Sequence, residues 1–302
     1  MQSPTLVVLA AGMGSRYGGI KQMDPVGPDG EFVLDYSVFD AWRAGFKRVV
    51  FIIREELEAP LREHFGSKLE GKLEVAYVCQ RLNDLPAPFV CPETRQKPWG
   101  TGHAIWSARG AVKGAFAAIN ADDFYGASSY QVLADFLKSP ECDQDTYAMV
   151  AYRLSNTLSD FGSVSRGICT EDSQGYLQDV VERVSIEPCP GGARYRDAEG
   201  QWQPLSGAEP ASLNLWGFSD SLFGRMEKLF GEFLQSRGNE SKSEFFIPTV
   251  VDTLIKRGLC RTKVLHTTEH WFGMTYAEDR AMVVEKIAAL TAQGVYPEHL
   301  WQ

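Results

Sequence analysis

The sequence lacks the features that mark membrane and secreted proteins. Its 302 residues contain no apolar run near the roughly 18 residues that a transmembrane helix needs. The apolar segment at 6–11 is short and follows no basic stretch, so we expect no secretory signal. The sequence therefore predicts that the protein has no membrane partner and is cytoplasmic.

Paired cysteines are also missing. The six cysteines form no C-x-x-C pair and lie near no histidine cluster, which argues against structural zinc and against a disulfide framework. We interpret them as unpaired thiols in a reducing cytosol. The five histidines show no metal-ligand spacing and are interpreted as solvated or packed side chains: His64, His103, His266, His270 and His299.

Positive charge is in deficit as well. The chain has 39 acidic and 30 basic residues and a formal net charge of −9. Such a chain gains nothing from the counterion release that drives nucleic-acid binding, so we expect no nucleic-acid partner. A local basic pocket remains compatible with this balance, because anion binding depends on the charge of the pocket rather than on net charge.

The first half of the chain alternates strand and helix patterns. The apolar run at 5–10 ends in small residues and glycines, as a buried parallel strand does. This succession predicts an α/β fold with a mostly parallel sheet and helices on both faces. The predicted strands are 5–10, 48–53, 73–78, 115–120 and 147–154, and the predicted helices are 34–45, 101–112 and 128–138.

The pattern changes near residue 155, where shorter strands replace the regular alternation. A Gly- and Pro-rich segment at 187–205 is predicted to be a loop. No linker marks a domain boundary, so a single domain over 1–302 with an inserted set of strands is expected. Beyond residue 155 the predicted strands are 162–168, 176–184, 212–218 and 259–265, and the predicted helices are 222–235, 244–258 and 276–294.

The loop after the first strand is the most informative segment. Gly12 and Gly14 let the backbone approach a ligand closely, and Arg16 and Lys21 follow as cations. A dinucleotide site is disfavoured because Tyr17 stands where the third glycine of G-x-G-x-x-G belongs, and the G-K-[ST] of a P-loop is absent. The segment therefore predicts a polyphosphate-binding loop, with a plain tight turn as the alternative.

These residues resemble the signature of the sugar-1-phosphate nucleotidyltransferases (NDP-sugar pyrophosphorylases), L-A-[AG]-G-x-G-[ST]-R followed by a Lys before L-x-P-[VI]. The signature reads Leu9-Ala10-Ala11-Gly12-Met13-Gly14-Ser15-Arg16 here, and Lys21 precedes Met23-Asp24-Pro25-Val26. With gaps, the resemblance runs from residue 5 to about 280. It implies a Rossmann-like mixed sheet of the nucleotidyltransferase type, with a nucleotide-binding part (1–155), a sugar-binding part (156–275) and a C-terminal helix (276–302). It also implies that the loop contacts the nucleotide through Leu9, Ala10, Ala11, Gly12, Gly14 and Ser15.

Two further segments resemble the base-reading part of this family. Gly100 and Thr101 would present backbone groups to the nucleobase, and Gln80 stands where the family has a base-contacting glutamine. The loop is closest to that of uridylyltransferases, which favours UTP, with dTTP second. An insertion at 81–97 separates Gln80 from the loop, and Thr101 could instead simply start the next helix as part of its cap.

The strand at 115–120 is followed by two adjacent carboxylates, Asp122 and Asp123. The resemblance assigns Mg²⁺ to Asp122, with Ala121 in the usual glycine place. Carboxylate oxygens suit Mg²⁺, which takes one or two protein ligands together with waters and substrate phosphates. A capping or turn role is the alternative, and for Asp123 it is the preferred one.

The sugar side of the site rests on three shorter resemblances. Gly162, in the segment 160–164, stands where a glycine backbone contacts the sugar, and Glu182 stands where a glutamate holds sugar hydroxyls. Asn214 matches an asparagine that also contacts the sugar. Glu182 could equally form a surface ion pair with Arg183, and Asn214 could be a turn residue.

One position departs from the family. The segment 270–275 aligns with W-x-D-x-G, in which the Asp is often a second metal ligand, but Gly273 stands in its place. Asp122 and the phosphates could hold the metal alone, or Glu269, Asp123 or another residue could substitute, or catalysis could be impaired.

The resemblance implies a direct displacement in which a sugar-1-phosphate oxygen attacks the α-phosphorus of the nucleoside triphosphate and pyrophosphate leaves. The loop and Arg16 would hold the β- and γ-phosphates, and Lys21 would bridge the α-phosphate and the incoming phosphate. Rival interpretations are a nucleotidyltransferase for another phosphorylated small molecule and a regulatory protein that binds nucleotide or sugar without turnover. A metal-dependent glycosyltransferase would need Asp-x-Asp where this chain has Ala121-Asp122-Asp123. The oligomeric state stays open.

Overall fold

The computed structural model describes residues 3–12, 23–159, 162–274 and 279–302. Most of its strands join one continuous sheet with a parallel core. Paired strands in this core are parallel, as their buried apolar runs predict. The parallel strands are β1 (Thr5–Leu9), β2 (Arg48–Ile53), β3 (Glu74–Cys79), β4 (Phe116–Asn120), β6 (Thr146–Arg153) and β12 (Arg261–Thr267).

A single antiparallel strand, β11 (Pro210–Phe218), joins the parallel core of this sheet to an antiparallel region. Its second half pairs with β4, and both of its ends pair with β6. Its first half also pairs with β7 (Val164–Glu171), which opens an antiparallel arm. The arm continues with β8 (Leu177–Cys189), β9 (Gly192–Arg196) and β10 (Trp202–Leu205), while β5 (Asp123–Phe124) and β13 (Phe272–Gly273) form a separate short pair.

Helices cover both faces of the parallel core, as predicted. One apolar cluster packs beneath the helices α1 (Val33–Arg43), α2 (Glu58–Leu69) and α4 (Ala127–Lys138). A second cluster packs beneath α3 (Thr101–Ser107), α5 (Ser221–Arg237) and α6 (Ile247–Lys256). The last helix, α7 (Asp279–Ala292), packs against the outer side of α1 in a third cluster. Within the described residues, no helix is both long and apolar enough to cross a bilayer.

One helix was not predicted from the sequence, and one predicted loop was wrong. The helix α2 lies between the second and third strands, where no helix was predicted. Its pattern is weak because the buried side chains Leu61, Phe65 and Leu69 recur only at every fourth residue of a charged segment that contains Pro60. The loop predicted at 187–205 instead contains the end of β8 and the hairpin of β9 and β10, because positive-φ glycines close a tight turn between extended strands.

The ends of several helices also differ from the predicted ends. The helix predicted at 101–112 is shorter, since α3 ends at Ser107 and a 3₁₀ turn follows it. The helix predicted from 244 begins at Ile247, with a proline in its first turn. All six cysteines are free thiols.

Candidate active site

The carboxyl ends of the parallel strands meet at one edge of the sheet. The residues that follow these strands continue the ladder: the Gln80 N–H donates to Ile53 O at 2.9 Å, and the Ala121 N–H donates to Leu9 O at 3.3 Å. Ligands of open α/β sheets bind outside such carboxyl ends. The predicted base-side, loop and acidic residues therefore share one edge.

The first loop enters this edge directly from β1. Leu9 ends the strand, Ala10 and Ala11 are buried, and Gly12 is exposed. The rest of the predicted polyphosphate loop lies outside the described residues, so its assignments stay predictions: Gly14, Ser15, Arg16 and Lys21.

Gln80 and Gly100, the residues predicted for the base side, lie together in spite of the insertion between them. The Gln80 Nε2 donates to Gly100 O at 3.2 Å. The insertion at 81–97 is fastened by Arg95, whose guanidinium donates to Ser243 O at 2.6 Å and stacks over Trp99 with 3.4 Å to the ring centroid. The long connection thus leaves Gln80 beside the loop that precedes α3.

Any side chain at residue 100 would be strained. Its φ is +100°, and a Cβ there would lie 2.7 Å from the backbone oxygen of Phe245. Thr101 is the first residue of α3, and its hydroxyl accepts from the Ile247 N–H at 3.2 Å, at the start of α6. The Thr101 side chain thus ties the start of one helix to the start of another and leaves its backbone at the edge.

His103, which was interpreted only as solvated or packed, is fully buried beside these residues. Its Nδ1 lies 3.0 Å from Gln80 Nε2, and its Nε2 lies 2.9 Å from Asp84 O. Burial lowers the pKa of the His103 imidazole to about 4, so it is neutral at pH 7. No local pattern in the sequence marks this role, because it depends on the contact of His103 with Gln80, 23 residues away.

The two carboxylates after β4 are held differently. Asp123 belongs to β5, and its Oδ2 accepts from Asn120 Nδ2 at 2.8 Å and lies 3.3 Å from the Tyr125 hydroxyl. Its backbone oxygen accepts from the Ser37 hydroxyl of α1 at 3.2 Å. Asp122 is half-buried, and its backbone oxygen accepts from the Met274 N–H at 3.2 Å. Asp123 is therefore anchored in place rather than a loose neighbour of Asp122.

The departure at Gly273 has a steric basis. Gly273 pairs with Asp123 across the short β5–β13 ladder. A Cβ at residue 273 would lie 2.8 Å from Asp123 Oδ1 and 2.9 Å from Trp271 Cζ2. The Asp123 carboxylate thus occupies the space that a side chain at 273 would need.

Glu269, the other proposed substitute, is engaged elsewhere. Its Oε1 accepts from the Ser128 N–H at 2.9 Å, at the start of α4. It also packs closely over Gly126. Glu269 therefore acts as a helix cap.

The carboxylate oxygens at this edge are ligands that suit Mg²⁺. Asp122 and Asp123 offer only carboxylate oxygens, the hard ligands that Mg²⁺ takes in small number. Over the described ranges no group of three or more His, Cys, Asp or Glu side chains is arranged to hold a metal. A site completed by substrate phosphates and water suits such a pair.

The residues predicted for the sugar side lie on the antiparallel arm, just before it, or on β11. Gly162 is exposed, directly before β7. Glu182 lies on β8 opposite Gly167 of β7, and partial desolvation raises the pKa of its carboxyl while Arg166 opposes that rise. Asn214 has a φ of 62° at the irregularity where β11 changes partners, so its backbone has a structural role there.

Arg166 was missed by the sequence analysis. It is 8% exposed, donates to Thr157 O at 2.6 Å and stacks over Trp271 with 4.2 Å to the ring centroid. Burial lowers the pKa of its guanidinium to about 10, and Asp123 and Glu182 partly offset that shift. An arginine in the middle of a predicted strand was the available signal. Its charge lies between the acidic and the sugar-side parts of the edge.

The family model of nucleotidyl transferases matches residues 5–187 of this chain. No curated protein sequence matches the chain significantly. The match covers β1, the base side, both aspartates and the sugar-side strands up to β8.

Solved structures share the fold over nearly the whole chain. A UDP-glucose pyrophosphorylase complexed with UDP-glucose is 16% identical, with 95% of this chain and 99% of that chain covered and a TM-score of 0.59. A structure assigned as a glucose-1-phosphate thymidylyltransferase from Bacillus anthracis is 12% identical, with 93% and 94% covered and a TM-score of 0.60. The inositol-1-phosphate CTP transferase from T. maritima is 12% identical, with 96% and 97% covered and a TM-score of 0.61. At these identities the likeness establishes the fold.

Proposed function

The chain belongs to the nucleotidyl transferase family, and we propose that it transfers a nucleotidyl group from a nucleoside triphosphate to a sugar-1-phosphate. The products are an NDP-sugar and pyrophosphate. UTP is the favoured donor and dTTP the second. Neighbours in the fold are named as a UDP-glucose pyrophosphorylase, a glucose-1-phosphate thymidylyltransferase and an inositol-1-phosphate CTP transferase, so the preference for UTP rests on this chain's own residues.

One observation carries the proposal: the predicted base-side and acidic residues follow strands that end at the same edge of the sheet. Gln80 and Gly100 are hydrogen-bonded there, and Asp122 and Asp123 follow β4, whose next residue Ala121 is hydrogen-bonded to Leu9 at the end of β1. Glu182 lies on the arm that β11 joins to this sheet. A triphosphate and a phosphorylated acceptor could therefore be bound side by side.

The chemistry is a displacement at phosphorus. An oxygen of the sugar-1-phosphate forms a bond to the α-phosphorus, and the bond from that phosphorus to the bridging oxygen of pyrophosphate breaks. The nucleophile is already an anion, so no general base is required. Two anions must be brought together, so positioning and electrostatic stabilisation supply most of the rate.

The proposed roles follow from charge. Arg16 and the loop backbone bind the β- and γ-phosphates, and Lys21 bridges the α-phosphate and the acceptor phosphate. Asp122 would hold Mg²⁺, which would supply positive charge to the phosphates. Gly162, Glu182 and Asn214 would contact the acceptor.

The test is a matrix of the common triphosphates against sugar-1-phosphates and inositol-1-phosphate, scored by pyrophosphate release. Release with UTP and a sugar-1-phosphate is expected. Release only with inositol-1-phosphate would replace the proposed acceptor. Ligand binding without release from any pair would favour the regulatory alternative.

Two variants test the proposed roles. Lys21→Ala and Asp122→Asn should each lower turnover by about 10²–10³-fold, because each removes one stabilising interaction with developing charge. Circular dichroism should show an unchanged fold. Wild-type turnover in either variant would remove that residue from the reaction.

A further inference from the structure

A chain of hydrogen bonds runs from the insertion to the base side of the site. Asp84 O lies 2.9 Å from His103 Nε2, His103 Nδ1 lies 3.0 Å from Gln80 Nε2, and Gln80 Nε2 lies 3.2 Å from Gly100 O. We name these four groups the Gln80 relay. Both ends of the relay are backbone carbonyl oxygens, which can only accept.

This arrangement has one consistent assignment of protons. The carbonyl of Asp84 requires a proton on His103 Nε2, so Nδ1 of the neutral ring is an acceptor. The carbonyl of Gly100 requires the amide nitrogen of Gln80, not its oxygen, on that side. Both N–H groups of the Gln80 side-chain amide therefore donate hydrogen bonds within the protein, one to His103 Nδ1 and one to Gly100 O.

The surroundings hold the relay in this state. His103 has no exposed surface, and its ring packs near Phe230 with 5.2 Å between centroids. Asp84 is fixed by Arg109, whose two terminal nitrogens lie 2.7 and 2.9 Å from its two carboxylate oxygens. That guanidinium in turn stacks over Trp106, with 3.6 Å to the ring centroid. If the Gln80 amide were rotated by half a turn, its Oε1 would face the Gly100 carbonyl oxygen, and the two acceptors would repel each other.

This assignment of protons leaves the side-chain oxygen of Gln80, Oε1, outside the relay. It accepts no hydrogen bond from any residue in the described ranges, and Gln80 is only half-buried. The relay thus leaves a single polar group for a ligand, and that group is an acceptor. We propose that His103 is a positioning residue that makes the base site selective for a nucleobase with a protonated ring nitrogen at its pairing edge, as in uracil and thymine.

The bases differ in this respect. Uracil and thymine carry an N–H at N3, and guanine carries one at N1. Cytosine and adenine present an unprotonated ring nitrogen, whose lone pair would face the Gln80 oxygen. Sites built to hydrogen-bond a donor reject analogues that lack it by large factors, because the acceptor is left unpaired once the ligand covers it.

This inference rests on the proposed function, so its experiment measures binding and does not require turnover. Calorimetric titration of the full chain with UTP, dTTP, GTP, CTP and ATP should show UTP and dTTP bound on the order of 10²-fold more tightly than CTP and ATP. UTP methylated at N3 should lose a similar factor, because the methyl group replaces the donor. Equal binding of UTP and CTP, or of UTP and its N3-methyl form, would overturn the proposal.

Variants at His103 test the positioning role. His103→Leu removes the acceptor that holds Gln80, so the amide can turn and the preference for UTP over CTP should fall to within about 10-fold. His103→Gln offers both an acceptor and a donor and should keep the wild-type preference. His299→Leu is the matched control, since His299 is an exposed histidine paired with Asp29 and should leave the preference unchanged. An unchanged preference in folded His103→Leu would refute the role of the histidine.

The outcomes separate this inference from the proposed function. Should His103→Leu fail to fold, the N3-methyl probe on the wild type still decides the hydrogen-bond assignment. Selective UTP binding without pyrophosphate release from any acceptor would keep the relay and reject the transferase. A preference for GTP would keep the relay, because guanine also carries a ring N–H, and would reject the proposed preference for UTP.

Discussion

Gly100 shows at the scale of a single residue how close the backbone lies to its neighbours at the base side. Its φ is +100°, and a Cβ would meet backbone atoms of Phe245 at 2.7 and 2.9 Å. We expect Gly100→Ala to lower the free energy of unfolding by about 1–3 kcal/mol, through strain at a left-handed φ and displacement of that backbone. Urea denaturation measures the loss.

Gly110 provides the control for this substitution. A Cβ there would meet no atom within 4 Å, and its φ is not in the left-handed region. Gly110→Ala should therefore change stability by no more than about 0.5 kcal/mol. A similar loss in both variants would contradict the contact argument for Gly100.

His103 also makes stability depend on pH. Burial lowers the pKa of its imidazole in the folded protein to about 4, from 6.5 in the unfolded chain. Between these values the unfolded chain binds a proton that the native protein does not, so the free energy of unfolding falls as pH falls through this window. His103→Gln lacks the titration, so wild type should lose about 2 kcal/mol relative to this variant between pH 7 and pH 5. Urea denaturation at both pH values checks the difference, and parallel pH profiles would contradict it.

At the scale of elements, Glu269 connects the segment before β13 to α4. Its carboxylate accepts from the Ser128 N–H in the first turn of that helix. Glu269→Ala should cost about 1 kcal/mol of stability, as the loss of a helix cap does. Glu269→Gln keeps an acceptor oxygen and should keep both stability and turnover, as measured by thermal unfolding and pyrophosphate release. A loss of turnover in a stable Glu269→Gln variant would favour a metal-ligand role instead.

Elements that bury a periodic apolar face were predicted with the right type. The strands β1, β2 and β4 are buried along their lengths, and their apolar runs are visible in the sequence. The helix α2 and the β9–β10 hairpin were missed because tertiary packing and glycine turns, rather than local pattern, define them. Local periodicity thus identifies the core of the sheet better than its antiparallel arm.

The candidate site likewise contains residues that local motifs predicted and residues whose roles the sequence did not reveal. Gln80, Gly100 and Asp122 were predicted from short motifs, and the structure places them along one edge. The roles of His103, Asp123 and Arg166 depend on contacts between residues far apart in sequence, such as that of Arg166 with Trp271. No local spacing encodes such contacts, so the sequence alone could not assign them.

At the scale of the whole molecule, the C-terminal segment is hydrogen-bonded to α1. The Tyr296 hydroxyl donates to the buried carboxylate of Asp40 at 2.7 Å, and Trp301 Nε1 donates to that of Asp35 at 2.8 Å. Both aspartates belong to α1, the helix whose Ser37 donates to the backbone of Asp123. The end of the chain is therefore coupled to the acidic part of the site through a single helix.

Removal of residues 295–302 should consequently affect both stability and the site. It leaves Asp35 and Asp40 buried without these donors and exposes Phe39, whose ring lies edge-on to Tyr296 and Trp301. We expect the free energy of unfolding to fall by at least about 3–5 kcal/mol, the usual cost of removing one large aromatic side chain from a core. Tyr296→Phe isolates the hydrogen bond and should cost about 1–3 kcal/mol, whereas Glu298→Ala, at an exposed position, should cost no more than about 0.5 kcal/mol. Urea denaturation ranks the three variants. A truncated chain as stable as Glu298→Ala would show that α1 is held by the sheet alone.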